Sequence, residues 1–450
     1  MLSGDTTDAF AVLPYVMTLR HALISAVSLT GLACGTTGLP VASGFGPHPV
    51  LPLPTRTLIP TINVAKAVGW PSGTIPRGAA GTTVNAFATG LAHPRFVYVL
   101  PNGDVLVSEA NAPPAPDNNT GIRGWFFKRY QKKGGSAAPS ANRISLLRDT
   151  DSDGIADKRF VLLSGLHSPF GMVLSNGSLY VANTDALVRF PYVTGDTQIV
   201  AAAVTVVQLP AGPINHHWTK TVVASADCAT LYVSVGSNSN VAEKGMAVEE
   251  GRAAVWAVNA ATGSHRLFAT GLRNAVGLAI EPESGALWAS VNERDELGDD
   301  LVPDYMTAVR DGGFYGWPYS YFGANVDSRV KPRRPELVAS AIVPDYALGA
   351  HTASLGLSSS HGATLGAPFL NGMFIGQHGS WNRETASGYR VIFVPFANGV
   401  PSGAPIDVLT GFLSAKGEAM GRPVGVAVAR GGALLVADDV GNTIWRVRKQ

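Results

Sequence analysis

The chain has 450 residues, a length that suits either two or three average domains or one large all-β unit. Hydrophobic residues make up 46% and charged residues 15%, and the 51 glycines and 30 prolines indicate a packed chain with many turns. A net charge of +2 excludes a general attraction to nucleic acid or to an acidic membrane, so any basic site has to be local.

The N-terminus has the pattern of an export signal. From Met17, "MTLRHALISAVSLTGLACG" gives a short basic start, an apolar run and an exit of small residues. Cys34 stands near a lipoprotein cleavage box, although Gly31 occupies a position where a larger aliphatic residue is preferred. We predict an exported, periplasmic protein, either lipid-anchored at Cys34 or cleaved as an ordinary precursor, with residues 1–40 forming the extension and signal.

Residues 41–83 follow as a segment rich in proline, glycine and threonine without periodicity. Such composition is typical of an extended linker or of a segment draped over a surface. We assign residues 84–450 to the folded body.

Within that body a tight turn followed by a short β-prone run recurs six times. The copies are "NGDVLVSEAN", "NGSLYVANTD", "CATLYVSVGS", "SGALWASVNE", "NGMFIGQHGS" and "GGALLVADDV". Repeats of several short strands, spaced roughly 50 to 90 residues apart, predict an all-β six-bladed β-propeller. A β-sandwich or a repeat solenoid is the alternative, but a propeller alone places equivalent loops of every repeat around one axis.

Two long insertions interrupt the period. The first, Ala112 to Arg143, mixes aromatic and basic residues in "GWFFKRYQKKGG", as a lipid or partner surface or a self-packed loop would. The second lies between Asn292 and Phe369 and is dense in carboxylates and aromatics. Its aromatics either wall a sugar-sized cleft or pack the loop, and its oxygens offer a second cation site.

The stretch "DTDSDGIAD" predicts a calcium-binding loop. Asp149, Asp151, Asp153 and Asp157 surround Gly154. Carboxylates at alternate positions around a glycine match the first half of an EF-hand loop. The predicted site is structural, and the alternative is a solvated acidic turn.

The stretch "NHHWTK" opens the third strand repeat and supplies His216, His217, Trp218 and Lys220. Histidine is the side chain best suited to accept a proton near neutral pH, so either histidine is a candidate general base. Trp218 and Lys220 are candidates to line a pocket, and the alternative is a structural role for the histidines.

Arginines occupy equivalent places in two repeats, Arg273 in "GLRNAVGLAI" and Arg422 in "GRPVGVAVA". Two guanidinium groups that meet near an axis repel each other unless an anion with several carboxylates or phosphates lies between them. "QHGSWNR" adds Trp381 and Arg383, which favours a flat aromatic anion. The alternative for each arginine is a salt bridge to a neighbouring blade.

The long stretch from "GLRNAVGLAIEPESGALWASVNERDELGDDLVPDY" to "RDGGFYGWPYSY", with "GQHGSWNR" and "GRPVGVAV", resembles the sorbosone dehydrogenase branch of the soluble quinoprotein sugar dehydrogenases. The resemblance runs from about Asn85 to the C-terminus. It implies a six-bladed propeller that oxidises an aldose or related sugar aldehyde with pyrroloquinoline quinone, a tricarboxylate, and Ca²⁺. The sequence does not identify the electron acceptor.

The resemblance also implies roles for single residues. Arg273 with Asn274 beside it, and Arg422, fall on cofactor-binding positions of that family. His217 is the first choice for the base and His216 the second. Lys220 and Trp381 are taken as further cofactor contacts.

The resemblance places Ca²⁺ on the backbone carbonyls of Arg294 and Asp295. The chain departs from the family in two places. "VGSN" puts Ser237 or Asn238 where relatives orient their histidine with an aspartate, and Arg383 is the substitute for a cofactor lysine. These departures keep two other functions open, a calcium-dependent lactone hydrolase and a non-catalytic propeller that binds sugar or protein.

Overall fold

The structure is a computed structural model that describes residues 39–55, 61–114, 129–135 and 137–450. The predicted export signal, Cys34 and the aromatic part of the first insertion lie outside these residues and stay predictions. In the described ranges, no helix has the length and apolar character that crossing a bilayer requires.

Three short strands come first: β1 (Phe45–Gly46), β2 (Arg77–Gly78) and β3 (Thr82–Ala88). Blade 1 contains β4 (Pro94–Val99), β5 (Val105–Glu109), β6 (Arg143–Arg148) and β7 (Lys158–Leu163). Blade 2 contains β8 (Met172–Ser175), β9 (Ser178–Ala182), β10 (Ala186–Pro191) and β11 (Val204–Gln208). Blade 3 contains β12 (Val222–Ala224), β13 (Thr230–Val235), β14 (Ala254–Asn259) and β15 (His265–Thr270).

Blade 4 contains β16 (Asn274–Ile280), β17 (Leu287–Asn292), β18 (Pro303–Ala308) and, after the hairpin β19 (Ser320–Tyr321) and β20 (Asn325–Val326), β21 (Tyr346–Ala350). Blade 5 contains β22 (Ser354–Ser359), β23 (Gly372–Gln377), β24 (Arg390–Ala397) with the short β25 (Val400–Pro401), and β26 (Ile406–Thr410). Blade 6 contains β27 (Pro423–Val428), β28 (Leu434–Asp438), β29 (Thr443–Lys449) and β3. Helical residues are few: α1 covers residues 129–134, α2 is Pro335–Ser340, and 3₁₀ turns occur at Val41–Gly44 and Met246–Glu249.

The six antiparallel sheets form a six-bladed propeller, as the repeats predict. A separate hydrophobic cluster fills the space between each pair of neighbouring blades, so every blade is covered on both faces. A seventh cluster lies where the innermost strands meet: Ala110, Phe170, Trp218, Val276, Leu355 and Val424. The inner strands β16, β22 and β27 are buried over most of their residues, whereas β4, β8 and β12 are only partly buried.

Glycines in the inner strands allow neighbouring blades to approach closely. A Cβ on Gly277 would lie 2.5 Å from the carbonyl oxygen of Leu355, and one on Gly356 would lie 2.2 Å from that of Val424. Such distances are not compatible with a side chain, so only glycine fits there. The recurring "VG" and "LG" pairs of the repeats thus mark the tight ring around the axis.

The ring closes because β3 from the N-terminal part pairs with β29 near the C-terminus. The segment before it is draped over the propeller: β1 pairs with β21 and β2 with β26 at the outer edges of blades 4 and 5. Residues 61–70, which we call the strap, reach blade 6, where the Trp70 indole donates to Asp438 at 2.6 Å. Of the two alternatives for residues 41–83, the described part follows the draped one.

Consecutive antiparallel strands determine which loops share a face. The upper face, as used below, is the face where each inner strand begins and each second strand ends. The candidate residues in "NHHWTK" and "GLRN" precede inner strands, and those in "NERD" and "QHGSWNR" follow second strands. They therefore lie on one face, whereas the loop between β6 and β7 with the predicted calcium ligands lies on the opposite one.

Candidate functional site

A series of contacts on the upper face runs around the axis through five blades. On one side His217 contacts Ser237, Ser237 bonds to Arg273, and Arg273 faces Asp295. On the other side His378 bonds to Asp439, Asp439 pairs with Arg95, and Arg95 lies over Trp218. Asn382, four residues after His378, donates to Asp295 at 2.6 Å and joins the two sides. We call these side chains, together with those of His93 and Arg422 next to Asp439, the polar ring.

His217 has the arrangement of a general base. Its Nδ1 lies 2.8 Å from the carbonyl oxygen of Ser237 and 3.0 Å from the hydroxyl oxygen of the same residue. A carbonyl oxygen only accepts, so Nδ1 carries the proton and Nε2 is left as the basic nitrogen. Burial, followed by the charge of Arg273, holds the pKa of His217 well below its usual value, so the ring is neutral near pH 7.

His216 differs in its surroundings. Its side chain is exposed, and its backbone N–H donates to the Asn238 side chain at 3.3 Å. Its ring meets that of His217 edge to face, with centroids 4.9 Å apart. Desolvation by the surrounding protein and then the charge of Arg273 lower its pKa as well, although the residue keeps contact with solvent. The described contacts hold the ring of His217 by hydrogen bonds, which favours His217 over His216 as the base.

The loop that carries His217 is supported from below. Lys220 is fully buried, and its Nζ donates to the carbonyls of His217 at 3.4 Å and Trp218 at 3.3 Å. A Cβ on Gly236 would lie 2.6 Å from the Cβ of His217 and 2.4 Å from the Asn274 side chain, so glycine is needed there. We therefore correct the predicted cofactor contact of Lys220, because a side chain with no accessible surface supports the loop instead.

Arg273 is buried and its guanidinium is fully used by the chain. Nε donates to the Asn240 carbonyl, Nη1 to those of Asn292 and Glu293, and Nη2 to the side chains of Asn240 and Asp295. A guanidinium has five N–H donors, and these contacts occupy all five. The prediction that Arg273 donates directly to a cofactor carboxylate is therefore not supported by this geometry; Arg273 braces the ring.

Arg422 is different, since its Nε is buried and has no hydrogen-bond partner within the described residues. Its Nη2 donates to the Ala65 carbonyl of the strap at 3.3 Å, and its guanidinium lies 5.2 Å from the centroid of the Tyr389 ring. Arg95 likewise has an unpartnered buried Nε, and it stacks over Phe170. Unpartnered guanidinium donors are costly without a ligand, so this side of the polar ring suits an anion.

Asp439 holds this side together. It accepts from Arg95, lies 2.9 Å from His378 Nε2 and accepts through its carbonyl from His93 Nδ1 at 3.1 Å. Burial raises the pKa of Asp439, but the charges around it, His378 first, lower it further than burial raises it. Burial lowers the pKa of His378 to about 4. Sequence reasoning missed His93, Arg95, His378 and Asp439, although "GLAHPR" occupies the same place in its repeat as "GLRN".

The other residues of "QHGSWNR" lie farther out. The Arg383 guanidinium donates to the Asp300 carboxylate at 2.6 Å and to the carbonyls of Asp299 and Thr385. Trp381 is 43% exposed, and its carbonyl accepts from Asn63 of the strap. The Arg383 guanidinium therefore stabilises the second insertion, which is a different role from the predicted cofactor contact. Trp381 is partly exposed to solvent.

The predicted metal position lies at the backbone carbonyls of Arg294 and Asp295, and two hydrogen-bond donors of the chain contact the second of these oxygens. The Asp295 carbonyl accepts from Arg329 Nη1 at 2.8 Å and from Asn240 Nδ2 at 3.3 Å. A carbonyl oxygen has two lone pairs, and these two donors use both. The residues present do not fit a divalent cation on that oxygen.

The predicted calcium loop brings three of its four carboxylates together. Oxygens of Asp149, Asp151 and Asp153 all lie within 4.8 Å of one another. Asp157 instead accepts from the hydroxyl and the backbone N–H of Thr150 at 2.6 and 2.7 Å. A calcium site at this loop stays a prediction, and the Asp157 carboxylate is bonded to Thr150 and does not belong to the group of three.

The aromatics of the second insertion mainly pack. Tyr315, Trp317 and Tyr321 are buried, and the Trp317 indole donates to the Asn240 carbonyl at 3.0 Å. Tyr319 borders a hollow of about 400 Å³ together with Val330. The insertion thus supports the Arg273 side of the ring from outside.

The comparisons with known proteins agree with this fold. A family model described as TrAA12-like matches residues 76–306 and 337–450, so the unmatched residues 307–336 fall inside the second insertion. The chain belongs to the TrAA12-like family. The match of this TrAA12-like chain includes the polar ring residues from His93 to Asp439.

Solved structures share the propeller of the TrAA12-like chain. The iodide structure of the Trichoderma reesei family AA12 enzyme aligns with a TM-score of 0.67 at 19% identity, covering 86% of this chain and 99% of that one. The holo pyranose dehydrogenase PQQ domain of Coprinopsis cinerea gives 0.64 at 19%, covering 86% and 100%. The PQQ-bound aldose sugar dehydrogenase of Streptomyces coelicolor gives 0.53 at 17%, covering 83% and 99%. At these identities the likeness establishes the fold.

Proposed function

We propose that the chain is a quinoprotein oxidoreductase that oxidises an aldose or a related sugar aldehyde of the sorbosone type with pyrroloquinoline quinone. The observation that carries the proposal is the pairing of an oriented neutral base, His217, with unpartnered guanidinium donors of Arg95 and Arg422 on the same face. The structures of like fold that are named for PQQ and for sugar substrates support it.

The quinone is a tricarboxylate, so its fit can be judged from the donors present. The guanidinium groups of Arg95 and Arg422 each carry an N–H that has no acceptor within the described residues, so both groups are suited to its carboxylates, and charge-assisted bonds of this kind are about twice as strong as neutral ones. The apolar side chains of Phe170 and Trp218 lie beneath and beside Arg95. The residues therefore fit a flat anion on the Arg422 side of the ring.

Bound quinone would supply a two-electron acceptor for the hydride of the substrate. The chain supplies the proton chemistry: His217 Nε2 accepts the proton of the substrate hydroxyl while Ser237 keeps Nδ1 protonated. Lys220 and Gly236 hold the loop so that the ring keeps this orientation. The electrons then pass to an external acceptor.

The proposal is tested with purified apoprotein, pyrroloquinoline quinone and a panel of aldoses, with dye reduction as the readout. We expect activity that depends on the added quinone. His217→Ala should bind the quinone normally, as measured by its absorbance on titration, and lose about 10²- to 10⁴-fold in kcat, the usual contribution of a general base. His216→Ala is the matched control and should retain most of the activity.

Two outcomes contradict the proposal. Quinone-independent hydrolysis of lactones would favour the lactone hydrolase alternative. Sugar binding without turnover in the presence of quinone and dye would favour a non-catalytic propeller.

A further inference from the structure

The backbone carbonyl of Asp295 lies beside the polar ring and is capped by a cation of the chain itself. Arg329 Nη1 donates to this oxygen at 2.8 Å, and Asn240 Nδ2 adds a second bond at 3.3 Å. The Asp295 side chain meanwhile accepts from Asn382 and faces Arg273. The residue is thus held from both its main chain and its side chain.

Arg329 is fixed in this position. Its Nε donates to Asp327 Oδ1 at 2.9 Å and its Nη2 to Oδ2 at 2.7 Å, a bidentate pair. Burial raises the pKa of Asp327, but the bond and charge of Arg329 and the charge of Arg294 lower it overall, so Asp327 stays ionised. Both partners are largely buried, with 7% and 0% of their side-chain surfaces exposed. A pair of this geometry orients the guanidinium rigidly.

Ca²⁺ binds oxygens at about 2.3–2.6 Å and collects six to eight of them. An ion on the Asp295 carbonyl would have to displace both donors, and it would lie next to a guanidinium of the same sign of charge. The Arg294 side chain, also buried, adds a further positive charge next to Asp327. The Asp295 carbonyl is thus already bound by a cationic group of the chain, the Arg329 guanidinium.

We propose that this chain binds its quinone without a divalent cation on the Asp295 carbonyl, because the Arg329 guanidinium is bonded to that oxygen. The inference rests on the proposed function, since it concerns how the same site holds the same cofactor. It separates this chain from the calcium-dependent arrangement that the sequence resemblance implies.

The experiment measures pyrroloquinoline quinone affinity of the wild-type apoprotein by calorimetric titration, once in EDTA and once in excess CaCl₂. The expected dissociation constants agree within about threefold, a difference below 1 kcal/mol. A loss of about tenfold or more in EDTA would overturn the inference. Failure to bind under both conditions would overturn the proposed function itself, and the inference with it.

Arg329→Met sharpens the test, because it removes the charge and frees the carbonyl. We expect this variant to bind the quinone about tenfold more weakly in EDTA than in CaCl₂. Equal affinity in the two buffers would contradict the assigned role of Arg329. Arg334→Met is the matched control, since Arg334 is exposed and pairs with Glu336. Thermal unfolding of each apoprotein checks that it is folded, and the wild-type comparison stands by itself if Arg329→Met is not.

Discussion

The two sides of the polar ring differ in how their arginines are satisfied. On the side of His217, Arg273 places all five N–H groups on acceptors of the chain. On the side of Asp439, Arg95 and Arg422 each keep a buried Nε without a partner among the described residues. A satisfied arginine stabilises the protein without a ligand, whereas an unsatisfied one gains its partner when a ligand binds. The first side therefore aligns the base, and the second side binds the anion.

The largest effect is expected for Arg273→Met. Its removal leaves buried carbonyls and the Asp295 carboxylate without their donor, and loss of one partner of a buried charged network costs about 3 kcal/mol or more. The measurement is urea unfolding of the apoprotein.

Arg422→Met is the comparison variant for that measurement. Within the described residues its side chain makes one hydrogen bond, from Nη2 to the Ala65 carbonyl at 3.3 Å, so its cost in unfolding free energy should stay below about 1 kcal/mol. Equal destabilisation by the two substitutions would remove the contrast between the two sides of the ring.

Arg422→Met should act instead on quinone affinity. Hydrogen bonds to a charged group contribute about 1.5–3 kcal/mol, which corresponds to roughly 10- to 100-fold weaker binding. The measurement is titration of the apoprotein with pyrroloquinoline quinone. Arg383→Met is the control, because the Arg383 guanidinium is held by Asp299, Asp300 and Thr385 away from the ring. A larger loss for Arg383→Met would mean that the anion lies on the outer side of the loop.

The smallest effects concern the environment of His217. A base works above its pKa, and the pKa of His217 is lowered by burial and by Arg273, so activity should be lost only as the pH falls below the ordinary histidine value of about 6.5. The measurement is the pH profile of kcat/KM for the reconstituted enzyme. An acidic limb at or above that value would show that His217 is not the base in this environment.

Ser237→Ala should lower kcat only about two- to fivefold, because the backbone carbonyl of residue 237 still accepts from Nδ1 at 2.8 Å. A loss as large as that of His217→Ala would show that the hydroxyl, and not the carbonyl, orients the ring.

The sequence predicted the architecture well because each blade repeats the same local signals. Turn residues followed by β-prone runs recur in every blade, and the inner-strand glycines mark the approach of neighbouring blades. The same repetition predicted that Arg273, Arg422 and His217 share a face. The number of blades and the shared face follow from the repeat period, and this period can be read directly from the amino-acid sequence.

The partners of these side chains were not predictable in the same way. Within "QHGSWNR", the sequence singled out Trp381 and Arg383, but the structure brings His378 and Asn382 to the ring, because the loop turns directly after β23. Lys220 points below the loop, and Arg329 reaches the Asp295 carbonyl from 34 positions along the chain. Each of these outcomes depends on the direction of a side chain.

The sequence by itself determined the number of blades and the face that carries the polar groups, since both follow from short-range patterns that repeat, and it limited the candidate base to His217 or His216. Only the tertiary structure decided which arginines are already satisfied, because hydrogen-bond partners such as Asn240 for Arg273 and Ala65 for Arg422 come from distant parts of the chain. Arg273 and Arg422 carry the same charge. The number of N–H donors that the chain leaves unused decides whether a guanidinium stabilises the fold or can bind an anion.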